Sequence, residues 1–259
     1  MATFLFDKIV FGPVKSRRLG TSLGINLLPT NSKWCSFNCI YCECGWTSPR
    51  PYNVNLYPSR KKVQEDLRQM LKNMKSEGSR PDVITFAGNG EPTIHPEFAG
   101  ITEDTVSLRN DFFPEARIAV LSNASMIQRD DVFRALKKVD QNILKLDSGI
   151  ESTIRFLNQP PPEFSLDEAV KKLLLFKGDF ILQTLFIKGS YKGKNVDNTT
   201  ETELNAWLPL VRKLNPREVM IYTIARDTPV RGLKKVSPEK LKAIAEKVES
   251  YGIPVSISA

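Results

Sequence analysis

The chain has 259 residues, 41% of them hydrophobic and 25% charged, which provides for an ordinary globular core and excludes long disordered stretches. No apolar run reaches the roughly 20 residues that span a bilayer, and the opening MATFLFDKIVFGPVKSRR has neither a basic leader nor a small-residue cleavage site. A cytoplasmic protein with no membrane partner is therefore expected. The net charge of +8, from 37 Lys and Arg against 29 Asp and Glu, favours acidic partners such as nucleic acid, nucleotides or anionic substrates, although a merely solvated basic surface gives the same count.

In chain order, the first strand candidate is SLGINLL at 22–28. A helix follows from Pro58 to Gly78, with Ser59 as N-cap, Gly78 as stop, and Val63, Leu67, Met70, Leu71 and Met74 at helical spacing. Strands at 82–87, 116–122, 141–147, 179–187, 217–224 and 253–258 are dense in Val, Ile and Leu, as in a parallel sheet covered on both faces. Between them lie helix candidates Pro96–Asn110, Gln128–Lys138, Leu166–Phe176, Thr199–Leu214 and Ser237–Gly252. The last opens Ser-Pro-Glu, which suits a helix start. This alternation predicts an α/β fold, a partial (β/α)6 parallel barrel, because the first sixty residues read mostly as loop and leave too little chain for eight units. A single domain over 1–259 is expected, with 1–60 as N-terminal segment and cysteine loop and 61–259 as the remaining units. In such folds chemistry collects at the carboxyl ends of the strands.

All four cysteines lie between Cys35 and Cys44. That clustering in a chain with no export signal points to metal rather than disulfides. CSFNCIYC puts Cys35, Cys39 and Cys42 on a loop after the first strand. Three thiolates can hold three irons of a cubane and leave the fourth open to another ligand. Structural zinc needs four closed ligands, which Cys44 or His95 would have to complete.

Polar groups stand at the ends of later strands. TFAGNGEPT, Thr85–Thr93, brings Gly88, Gly90 and Glu91, where the glycines permit close backbone approach and Glu91 offers an acceptor to a cation. By itself it reads as a turn. Ser122 and Asn123 end the third strand, Asp147 the fourth, and Gln183 lies within the fifth. Arg226 ends the sixth and suits a carboxylate or a surface ion pair. His95, in TIHPEF, reads as a structural histidine. Lys15, Arg17 and Arg18, beside glycines in GPVKSRRLG, suggest an anion-binding rim or a solvated loop.

The cysteine spacing, with Tyr41 before the third cysteine, resembles the signature of the radical S-adenosylmethionine (SAM) superfamily. GNGE is similar to that superfamily's Gly-Gly-Glu motif. The resemblance implies a [4Fe–4S] cluster on Cys35, Cys39 and Cys42, and SAM at the open iron. It further implies reductive cleavage of SAM to a 5′-deoxyadenosyl radical that abstracts hydrogen from a substrate. Tyr41, Gly88, Gly90, Glu91, Ser122, Asn123, Asp147 and Gln183 become SAM-binding candidates, and an external flavodoxin- or ferredoxin-like one-electron reductant is required. The run from GPVKSRRLG through GNGEPT, LSNAS, LKLDSG and YTIAR looks like the wyosine-synthase-related, tRNA-modifying group. Wyosine synthases carry a second cluster on upstream cysteines, and no cysteine precedes Cys35 here, so one cluster is expected. The substrate classes left open are tRNA or another anionic substrate, and a peptide, protein or small metabolite. A non-catalytic iron–sulfur or zinc protein that binds RNA is a separate alternative. The basic groups Lys15–Arg18, Arg60–Lys62, Lys188–Lys194 and Arg231–Lys235 could follow a phosphate backbone, with Tyr191 the main aromatic among them.

Overall fold

The structure is a computed structural model and describes residues 4–16, 18–49 and 53–259. It forms two compact units: Leu5–Ser36 with Thr47–Asn142, and Phe4 and Phe37–Trp46 with Ile143–Ala259.

In the first unit the order is β1 (Val10–Ser16), β2 (Gly20–Ile25), α1 (Arg60–Ser76), β3 (Val83–Phe86), α2 (Phe98–Phe112), β4 (Arg117–Ser122) and α3 (Asp130–Leu136). β1 is antiparallel to β2, and β2, β3 and β4 run parallel side by side. α1 forms as its sequence dictates. The Ser59 side chain accepts the Lys62 amide, and Val63, Leu67, Leu71 and Met74 point inward at one-turn intervals. Val83, Ile84 and Phe86 of β3 are wholly buried, which accounts for the apolar run there.

The second unit takes up inside β5 (Gln141–Lys145) and continues through α4 (Glu151–Asn158), α5 (Leu166–Leu174), β6 (Ile181–Leu185), β7 (Lys188–Tyr191), β8 (Lys194–Asp197), α6 (Glu201–Leu214), β9 (Glu218–Tyr222), β10 (Leu233–Lys234), α7 (Pro238–Glu249) and β11 (Val255–Ser258). β5, β6, β9 and β11 run parallel in that order. β7 pairs with β8 and β10 in a separate antiparallel sheet.

The seven expected strands and six expected helices are present, each within a few residues of its expected bounds. Five elements differ from expectation. The stretch read as a basic loop contains β1, whose pattern is hidden by Gly12-Pro13 and by a bulge between Phe11 and Val14. Proline and charge are tolerated on such an antiparallel strand at the end of a sheet. Lys15 of the expected rim is an exposed β1 residue and Arg18 lies in the β1–β2 turn, while Arg17 lies outside the described residues. α4 is short, and β7, β8 and β10 are too short and polar to show a period of their own.

Candidate metal and cofactor site

In the first unit the site is built on the turn after β3. The Asn26 side chain accepts the Leu28 and Asn89 amides at 3.1 and 3.2 Å. Gly88, at φ +152°, passes so close that a Cβ there would lie 2.5 Å from Asn26 Oδ1. Asn89 is buried, donating to the Phe6 and Pro29 carbonyls, both at 2.9 Å. Gly90, at φ +141°, admits the backbone of Trp34: a Cβ there would lie 1.7 Å from the Trp34 carbonyl oxygen. Trp34 N donates to Asn89 O at 2.7 Å and Glu91 N to Trp34 O at 3.1 Å. Both glycines therefore make room for protein backbone and side chain, and the residue before Cys35 is tied to the GNGE turn.

Glu91 is buried. Its Oε1 accepts the Thr93 amide (3.1 Å), the Thr93 hydroxyl (2.5 Å) and the Ser122 hydroxyl (2.8 Å), and its Oε2 accepts the Asn123 amide (2.6 Å). Burial pushes the carboxyl upward, and these donors hold it part of the way back. Asn123 donates through Nδ2 to Ser36 Oγ at 2.9 Å and to Cys35 Sγ at 3.6 Å. Ser36 is in turn bonded to Ser125 at 2.6 Å. Glu91, Ser122 and Asn123, expected separately, thus form one hydrogen-bonded group at Cys35.

In the second unit Cys39 and Tyr41 are buried. The Tyr41 hydroxyl donates to Asp147 Oδ2 and receives bonds from Lys145 Nζ and Asn158 Nδ2, both at 2.7 Å. Asn158 Nδ2 also reaches Asp147 Oδ2 at 2.7 Å and Cys39 Sγ at 3.5 Å. Lys145 Nζ lies 3.2 Å from Asp147 Oδ2, and Asp147 Oδ1 accepts the Leu185 amide at 2.9 Å. Burial alone would lower the Lys145 ammonium, but the Asp147 charge outweighs it and holds the group above its ordinary range. Burial, and then Asp147, push the Tyr41 phenol well up, so it stays protonated. Register places Gln183 beside Lys145, and Gln183 is buried.

Lys145 and Asn158 were missed from the sequence. Lys145 had a usable signal: it stands two residues before Asp147 in the strand expected at 141–147, where alternate residues share a face. Asn158 had none, because α4 itself was not foreseen. Arg226 is an exposed partner of Glu43 at 3.0 Å, the surface pair already weighed for it. His95 is fixed at both ring nitrogens: Nε2 donates to Pro58 O at 2.9 Å and Nδ1 accepts the Glu97 amide at 3.0 Å. Cys44 is half-buried.

Among the described residues, no three His, Cys, Asp or Glu side chains come together as a ready-made metal site. Fit is therefore judged on donor chemistry. The motif offers three soft sulfur donors, and the sulfurs of Cys35 and Cys39 each face a side-chain amide N–H. Such donors suit an iron–sulfur cluster.

Clustered cysteines with polar strand ends in a parallel α/β fold fit an iron–sulfur SAM enzyme class, and the chain belongs to the radical SAM superfamily, whose family model matches residues 32–172. Membership implies an enzyme that uses SAM and an iron–sulfur cluster. The chain is 30% identical over 244 residues to a UPF0026 protein of Methanocaldococcus jannaschii, covering 92% of this chain and 69% of that one. It is also 30% identical over 251 residues to a protein named GTPase Obg from Brachyspira hyodysenteriae, covering 95% of this chain but only 34% of that protein's length. Among solved structures, a radical SAM methyltransferase from Sphaerobacter thermophilus superposes with a TM-score of 0.67 at 13% identity, over 92% of this chain and 65% of that one. TYW1 with a lysine–pyruvate adduct gives 0.59 at 13% identity, over 90% and 74%. At these identities the structures show the fold alone, and that fold is the expected α/β partial barrel. No helix among the described residues is long and apolar enough to cross a membrane.

Proposed function

We propose that Cys35, Cys39 and Cys42 hold one [4Fe–4S] cluster, with SAM at the iron that has no cysteine ligand. When bound, the pair supplies one-electron cleavage of SAM to methionine and a 5′-deoxyadenosyl radical that takes hydrogen from the substrate. The observation that carries this reading is the group at Cys35, where Glu91, Ser122 and Asn123 from the ends of β3 and β4 are bonded to one another and to the first cysteine's sulfur. In this reading Asn123 orients Cys35, and Glu91 gives the amino group of SAM a buried acceptor. Gly88 and Gly90 shape the turn, and Tyr41, Asp147 and Gln183 remain further candidates for SAM contacts. The electron comes from an external flavodoxin- or ferredoxin-like protein, and the cytoplasm keeps the thiols reduced.

The test is anaerobic reconstitution with iron and sulfide, followed by dithionite and SAM. A reduced cluster that yields 5′-deoxyadenosine, abolished by Cys35→Ala, Cys39→Ala or Cys42→Ala, is expected. Zinc bound by four ligands with no SAM cleavage would overturn the reading.

For the substrate, one surface favours RNA, with tRNA the form suggested by the wyosine-synthase resemblance. Trp46, 40% exposed, lies 6.4 Å from the Tyr191 ring, and Phe156 lies 5.6 Å from it on the other contact. Lys192 stands over Tyr191 and Lys194 over Phe156. Aromatic rings flanked by lysines at a hairpin tip suit an unstacked base beside a phosphate. Binding of a fluorescent tRNA should fall steeply with salt, and Lys192→Glu/Lys194→Glu should weaken it at least tenfold. Salt-independent binding, or none, would remove RNA from consideration.

A further inference from the structure

The end of α4 meets the cysteine loop through both backbone and side chain. The last carbonyls of a helix lack partners within it. Here the Leu157 carbonyl accepts the Ile40 amide and the Asn158 carbonyl accepts the Asn38 amide, both at 2.9 Å. The chain then leaves the helix through Gln159 in the left-handed region, at φ +43°. The backbone on either side of Cys39 is thus pinned to α4.

The Asn158 side chain completes the arrangement. Its Nδ2 faces three acceptors: Asp147 Oδ2, the Tyr41 oxygen and Cys39 Sγ. Only the amide nitrogen fits there, since the carboxamide oxygen would face a carboxylate. Asp147 is itself held by Lys145 and by the Leu185 amide, so the direction of the Asn158 N–H is set by buried bonds. Apart from Cys39 and Tyr41, none of these groups belongs to the CxxxCxxC pattern.

We infer that Asn158 is a positioning residue for the cluster: it fixes the Cys39 side chain and donates a hydrogen bond to its sulfur, making one-electron reduction easier. This rests on the proposal that Cys39 ligates a cluster. A donor to a ligand sulfur stabilises the more negative, reduced state, and hydrogen bonds to sulfur are among the factors that set cluster potentials. Asn158 acts through Cys39 and touches neither SAM nor substrate in this account.

The experiment is an EPR-monitored redox titration of the anaerobically reconstituted full chain, wild type against Asn158→Leu. The variant should retain the iron content of the wild type and become harder to reduce. The expected change is three- to tenfold in the oxidised-to-reduced ratio at a given potential, or about 30–60 mV for one electron. A second readout uses the wild type alone: its Fe–S(Cys) stretching bands in resonance Raman spectra should shift in D₂O, because the donated proton exchanges. A potential changed by less than twofold in that ratio at full iron content overturns the inference, as do bands that do not move in D₂O. If Asn158→Leu does not fold, the same titration on Asn158→Ala decides. If the wild type assembles no cluster, the cluster reading fails first, and the missing EPR signal distinguishes that outcome.

Discussion

Replacing Gly90 by alanine tests the way the GNGE turn and the residue before Cys35 are joined. At φ +141° Gly90 occupies a region nearly closed to other residues, and an added Cβ would lie 1.7 Å from the Trp34 carbonyl oxygen. Strain at such a φ costs about 1–3 kcal/mol. The overlap is with backbone, so it is relieved only by parting the two segments. That loses the Trp34–Asn89 and Glu91–Trp34 bonds, at about 0.5–1.5 kcal/mol each. Together Gly90→Ala should cost about 2–6 kcal/mol. For a chain of this length roughly 2 °C of melting temperature accompanies each kcal/mol, so a fall of about 4–12 °C is expected by scanning calorimetry. Gly78→Ala is the control: φ is also positive there, at +69°, but no atom lies within 4 Å of the new Cβ. It should cost only about 1–2 kcal/mol. If Gly90→Ala melts no lower than Gly78→Ala, steric overlap with Trp34 is not what Gly90 avoids.

Asp147→Ala should cost about 3–5 kcal/mol in urea unfolding, because it strands the largely buried Lys145 ammonium. The double variant Lys145→Met/Asp147→Asn should recover more than half of that loss, and strict additivity would argue against a coupled pair. His95 is held below its ordinary range chiefly by burial. The folded state thus binds this proton less readily than the unfolded chain does. His95 therefore contributes stability above about pH 6.5, which is lost as pH falls from there towards its folded value. His95→Gln should flatten the urea midpoint between about pH 6.5 and 5, and an unchanged pH profile would place the proton elsewhere. Asn142 is buried with both side-chain amide atoms lacking a hydrogen-bond partner. Asn142→Leu, with the same branching, should raise stability by about 1–3 kcal/mol in thermal and urea melts.

The parallel strands and their helices were legible because each is long enough to show a period. β3 gives an unbroken buried run, and α1 shows its four inward residues at one-turn spacing between a serine cap and a glycine stop. Short elements do not average out their local chemistry. β1 carries Gly12 and Pro13, α4 has only eight residues, and β7, β8 and β10 are mostly polar. Part of the site was legible for a similar reason. Glu91, Ser122 and Asn123 stand at strand ends, where parallel α/β folds gather polar groups, and they do meet at Cys35. The glycines of GNGE pointed to close approach, but the sequence could not name what approaches, and the structure puts Asn26 and Trp34 there. Asn158 came from an element without a pattern, 119 residues from the cysteine it faces.

Asp147 and Asn158 stand at the two ends of a short segment, and both must reach the Tyr41 hydroxyl. The stretch between them therefore acts as a ruler. One residue more or less would rotate the end of α4 by about 100° and carry Asn158 away from Tyr41 and Cys39. Insertions should be refused there and accepted by the fold, at the expense of the RNA surface proposed for it, at the exposed Lys192-Gly193 tip of the β7–β8 hairpin. An engineer adding a tag or reporter within this chain should count residues in the first place and need not in the second.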